Sequence, residues 1–143
     1  MWTCPKCGQK FVVNKAYHSC LENSVDNMLF GKSQHTIELF LFFIEEYEKI
    51  GKIVLHPSKS RIAFAAKIRF GYIHRLGRNY VDVVFQFRKN YKDSKQFYKI
   101  AQVPNSNIFN HYVRIKAKED ITSQLKEYMQ LAYDIGLRKH LEP

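Results

Sequence analysis

Two hydrophobic periods divide this chain. Between Ser33 and Ile50, Ile37, Phe40, Leu41, Ile44 and Tyr47 recur as one face of a 3.6-residue period, which predicts a helix. Ser33 or Thr36 can cap its start, and Gly51 sits where helices commonly end. Leu39, Phe42 and Phe43 widen the apolar surface beyond that stripe. The excess predicts contact with the N-terminal residues, with the last helix, or with a second chain in a homodimer formed through this helix. From Ile53 the period changes to two. Ile53–Leu55 is a short apolar strand stopped by His56-Pro57. Arg61 to Phe70 alternates throughout, with Ile62, Phe64, Ala66, Ile68 and Phe70 facing one way and Arg61, Ala63, Ala65, Lys67 and Arg69 the other. That run reads as one strand, which Tyr72–His74 can continue past Gly71. Val81, Val83, Phe85 and Phe87 mark the next strand, with Arg88 on its polar side. A weaker strand covers 97–103, and His111, Val113 and Ile115 alternate with Tyr112, Arg114 and Lys116 in a last one. A second helix covers 119–135, with Ile121, Leu125, Tyr128, Ala132 and Ile135 along one side, Asp120 near its start and Gly136 as its stop.

The order helix, about five strands with short connections, helix predicts an α+β domain over residues 33–143, with a mainly antiparallel sheet. Residues 23–32 are polar, hold Gly31 and read as a linker. One sheet face would be covered by the two helices and the other left wet. The composition allows such a core: 143 residues, 45% hydrophobic, with eleven Phe and nine Tyr. No run approaches the roughly 20 apolar residues of a membrane-spanning helix. The first residues lack the basic and apolar regions of a secretory signal, so a cytoplasmic location is expected.

Charge changes the picture only when it is divided. Residues 51–100 hold twelve basic side chains against two acidic ones, Asp82 and Asp93, whereas the flanking thirds are nearly balanced. This central excess is what a polyanion-binding surface needs, and it is also what ordinary solubility produces. Strand alternation gives the first reading a place. Arg61, Lys67, Arg69, Arg88 and Arg114 would share the wet face, with Lys59 just ahead of it.

The first twenty residues carry a different chemistry. Cys4, Cys7, His18 and Cys20 form the pattern C-x2-C-x10-H-x-C. Two thiolates separated by two residues can face one ion across a tight turn, and Pro5 and Gly8 suit that turn. Phe11 and Val13 alternate as a short strand that returns the chain to His18. These four ligands predict a closed, structural zinc site in a knuckle covering residues 1–22. A disulfide would strand the third cysteine, and a reducing compartment disfavours it. So short a segment lacks a core of its own. Zinc would therefore supply most of its folding energy, about 10–16 kcal/mol of apparent binding energy in such peptides.

Several segments together resemble a known family. The opening Trp2-Thr3-Cys4-Pro5-Lys6-Cys7-Gly8 with His18-Ser19-Cys20 is similar to a knuckle that precedes the domain-of-unknown-function 5655 family. Phe30-Gly31-Lys32, the run Pro57 to Phe64, and Glu119-Asp120-Ile121 leading to Ala132–Gly136 resemble segments of the family's main domain. The resemblance implies a small α+β domain and no particular activity.

The residues are compatible with three functions. A binding module for nucleic acid or another polyanion draws on the central charge and on Tyr72, Tyr80, Tyr91 and Tyr98 as stacking candidates, although any of these can equally be core. A small-ligand or protein-interaction module would use an anion pocket near residues 57–69, with Lys59 and Arg61 reading the anion. An enzyme, whether hydrolase or nuclease, is the weakest expectation. Zinc would occupy the cysteines, the six glycines form no phosphate loop, the strands offer Asp82 alone, and His56, His74 and His111 share no telling spacing.

Overall fold

The computed structural model describes residues 2–3, 10–11 and 25–138. Its architecture is α+β: a six-stranded antiparallel sheet with helices before and after it in the chain. A small antiparallel pair, β1 (Trp2–Thr3) and β2 (Lys10–Phe11), precedes it. Helices α1 (Val25–Leu29) and α2 (Gln34–Ile50) follow. The sheet comprises β3 (Val54–Pro57), β4 (Ile62–Ala65), β5 (Arg69–Gly77), β6 (Tyr80–Phe87), β7 (Lys99–Gln102) and β8 (Phe109–Ile115), in the order β3-β4-β5-β6-β8-β7. The last helix, α3, spans Ser123–Gly136. No helix among the described residues is long and apolar enough to cross a membrane.

Helix α2 begins where its cap allows. The Ser33 side chain accepts the Thr36 N–H at 3.1 Å, and at the other end the Gly51 N–H reaches the Tyr47 carbonyl. Its buried face is Thr36, Leu39, Phe40, Phe43, Glu46 and Tyr47, rotated from the expected stripe; Leu41 is 53% exposed. Two groups of contacts set that rotation. The Thr36 hydroxyl donates to the Gly77 carbonyl at 2.7 Å and accepts the Asn79 N–H at 2.9 Å. Phe43 and Tyr47 enter an aromatic core with Phe64, Phe70 and Phe85. The buried Tyr47 hydroxyl donates to the Met129 carbonyl and so joins α2 to α3.

The sequence predicts one strand over 61–70, and the structure divides it. Residues 66–68 turn the chain, and β4 pairs with β5 as a hairpin, which makes six strands where about five were expected. The turn contains no Gly, Pro or Asn to announce it. Besides one internal bond, from the Ala66 N–H to the Ile68 carbonyl, it is held from outside: the N–H groups of Lys67 and Ile68 both donate to the Gly136 carbonyl at the end of α3. The segment read as a linker contains α1, whose Val25, Met28 and Leu29 pack against the core. Helix α3 starts later than expected. Thr122, not Asp120, caps it, while Asp120 instead accepts the N–H groups of Lys116 and Ala117.

Candidate functional site

Helices α2 and α3 cover one face of the sheet, and the core lies between them and it. The other face carries the side chains that alternate away from this core. One row across it runs His56, Ala63, Tyr72, Val84, Tyr112 and Lys99, from β3 to β7. Below Tyr72 the register of β5 shifts between Ile73 and Arg75, and Arg75 pairs with Asp82, which in turn pairs with Arg114. The irregularity brings His74 beside this row. The rings of His74 and Tyr112 meet edge to face across β6 at 5.6 Å, and Val84 in that same strand is fully buried.

Cations and rings alternate on this face. The Arg61 guanidinium stands 4.5 Å over the Tyr72 ring, and the Lys99 ammonium 5.0 Å over that of Tyr112. Arg114 stands over Tyr80 at 4.2 Å and over Tyr98 at 5.1 Å. Asp82 is the one acidic residue in β3 to β8. It is buried and held by a two-pronged ion pair, with Arg114 Nε at 2.8 Å and Nη2 at 3.0 Å, while the Tyr98 hydroxyl donates to it at 3.2 Å. The pair positions Arg114 as a flat cation between rings and cancels its net charge.

Burial, and then the positive charge of Arg61, hold His74 below its ordinary pKa; Asp82 opposes this. Its Nδ1 is buried without a hydrogen-bond partner. His56 is lowered in the same way, by burial and by Arg69. Both imidazoles are therefore neutral at pH 7, and the face takes its charge from its arginines and lysine. Burial raises the pKa of Tyr72 and Tyr98, which stay protonated as neutral stacking surfaces.

The residues expected to bind an anion are only partly gathered here. Arg61 and Arg114 lie on the open face, and Arg69, opposite Ala65 and beside His56, lies at its margin. Lys67 lies in the β4–β5 turn, and Arg88 follows the end of β6. Lys59 belongs to the β3–β4 turn and lines a cleft at one edge of the sheet. Of the tyrosines, Tyr72, Tyr80 and Tyr98 are on the open face, whereas Tyr91 packs with Phe87, His111 and Tyr128 against the core. Tyr112 and Lys99 were not anticipated. The alternation of Tyr112 with Arg114 was the available signal for the first, and nothing in the sequence announced the β7–β8 pairing that delivers the second.

Cys4, Cys7, His18 and Cys20 lie outside the described residues. Among the described residues, no group of three or more His, Cys, Asp or Glu side chains could hold a metal ion.

The family model described as "Domain of unknown function (DUF5655)" matches residues 25–136. The chain belongs to this family. The match takes in α1, all six strands of the main sheet and α3, so the open face and the cleft both lie in the DUF5655 domain. No curated protein and no solved structure matches the chain.

Proposed function

We propose that this DUF5655 protein is a non-catalytic binding module that takes single-stranded nucleic acid on the open face of its sheet. One observation carries the reading: Tyr72, Tyr80, Tyr98 and Tyr112 share that face with Arg61, Lys99 and Arg114, each cation standing over a ring. A single strand offers flat bases and a phosphate at every step, so the ligand chemistry it needs is a stacking surface interleaved with positive charge. Stacking on tyrosine is tolerant of sequence, so weak base preference is expected.

The test is fluorescence anisotropy with a labelled single-stranded oligonucleotide. Tyr112→Leu keeps apolar bulk and removes the flat polar ring. It should weaken binding about tenfold or more, the scale of one stacked base. Tyr91→Phe, on the core side, should leave affinity unchanged. Equal effects of the two would remove the open face from the account.

The cysteine-rich segment is proposed to hold one structural zinc on Cys4, Cys7, His18 and Cys20. Ligand spacing supports this, as does the antiparallel pairing of Trp2–Thr3 with Lys10–Phe11, which brackets Cys4 and Cys7 in the sequence. Metal analysis should return one equivalent, lost in Cys7→Ser and released in acid as the thiolates protonate. Metal-free wild-type protein would contradict it.

A further inference from the structure

The cleft at the sheet edge, which meets the open face at His74 and Tyr80, carries an inference of its own. Strand β4 begins at Ile62, opposite Ile73, so β5 beyond that point has no β4 partner. The space left is a cleft of about 740 Å³, within the size range of small-ligand sites. Its walls bring together Phe30 and Lys32 after α1, Lys59 and Ser60 from the β3–β4 turn, and Arg75 and Tyr80 from β5 and β6. Among the described residues, no Asp or Glu lines it. The three cations come from three separate segments, and none of them is among the ion pairs of the described residues. Arg75 donates to the Tyr80 hydroxyl at 3.4 Å, which sets a guanidinium beside a ring at the cleft wall. Phe30 is 86% exposed, a large apolar ring left in solvent beside these charges.

Three converging cations need a ligand with more than one negative charge. The exposed ring of Phe30 calls for a flat, partly apolar body attached to it, while Tyr80, held between Arg114 and Gly77, closes the wall. From this combination we infer that the cleft binds a nucleoside phosphate, its phosphates among Lys32, Lys59 and Arg75 and its base against the Phe30 ring. Ser60 supplies a neutral hydroxyl donor next to Lys59. The site shares Tyr80 with the open face but needs neither Tyr112 nor Lys99, so Tyr112→Leu should leave ADP binding unchanged and the two readings fail separately.

Backbone amide NMR shifts on the full chain during titration with ADP test this directly, with adenosine and inorganic phosphate as comparison ligands. The expected result is saturable shifts at residues 30–32, 59–60 and 75–80, with adenosine and phosphate each binding at least about tenfold more weakly than ADP. Lys59→Glu, in an exposed turn, should reduce ADP affinity about tenfold or more. Phe30→Ala should weaken ADP and adenosine but not phosphate. Absence of shifts at millimolar ADP would overturn the inference. So would shifts centred on Val84 and Tyr112, or full affinity in Lys59→Glu.

Discussion

The exposures of Asp82 and Arg114 make their ion pair asymmetric. The side chain of Asp82 is 2% exposed and that of Arg114 38%. Removing the arginine leaves a buried carboxylate with little beyond the Tyr98 hydroxyl, whereas neutralising the aspartate leaves a guanidinium that can still reach water. Arg114→Met should therefore cost about 2–3 kcal/mol and Asp82→Asn about 1 kcal/mol, by urea denaturation. Equal losses would contradict the burial argument. This pair also shows how far single residues were legible. The lone acid among the strands was visible in the sequence, but its partner lies 32 positions away and depends on β8 pairing with β6. Lys67 and Arg69 stand in an uninterrupted alternation, yet Lys67 belongs to a turn, because size and polarity continue their rhythm through three residues that do not lie in a strand.

Element boundaries were more legible than the faces the elements bury. The Ser33 cap and Gly51 bound α2 closely, since both act within one turn of chain. Which side faces the core was decided by contacts distant in sequence, above all Thr36. Its fully buried hydroxyl ties the helix start to the β5–β6 turn, where Asn79 takes a φ of 64°. Thr36→Val keeps the shape and leaves the Gly77 carbonyl and Asn79 N–H unmet, so it should destabilise by about 1–3 kcal/mol in thermal or urea unfolding. The same turn carries Gly77 and Tyr80, which line the cleft, so ADP shifts at 75–80 should broaden or weaken as well. A neutral Thr36→Val would show that the turn holds its geometry without the helix. Strand β5 has a related constraint at Gly71. A side chain there would crowd the Phe64 ring and approach the Val84 carbonyl to 2.7 Å, so Gly71→Ala should cost about 1–3 kcal/mol by overpacking. Unchanged stability would mean that the Phe64 ring yields.

Across the whole molecule, pH acts through a histidine on the covered side of the sheet. The His111 Nε2 accepts the Tyr91 N–H at 3.1 Å, and Nδ1 lies 2.9 Å from the Phe109 carbonyl, to which it donates. Burial holds its pKa below the ordinary 6.5, partly offset by the bond to Phe109. As pH falls through about 6.5 the unfolded chain takes up the proton first. The stability due to neutral His111 is thus fully present above that pH and lost as pH falls toward its lower folded value. The urea midpoint should drop between pH 7 and pH 5, and this drop should be smaller in His111→Gln but not abolished, because His56 and His74 share the same direction. A drop of the same size in that variant would show that His111 contributes nothing to it.

The charge of the central third also acts at this scale. The sequence pattern places this excess, together with Arg114, on one sheet face, whereas the fold distributes it among the open face, the cleft, the β4–β5 turn and the end of β6, and pairs Arg114 with Asp82. The salt dependence of binding distinguishes these locations. Affinity for a single-stranded oligonucleotide should be measured from low to physiological salt for the wild type, for Arg61→Ser with Lys99→Ser, and for Lys67→Ser with Arg88→Ser. The wild type should show a steep linear fall of log affinity with log salt. The first pair should flatten that slope by roughly one unit per lost contact, and the second should leave it nearly unchanged. Absence of binding at low salt, or equal flattening by both pairs, would contradict the assignment of the open face as the nucleic-acid surface.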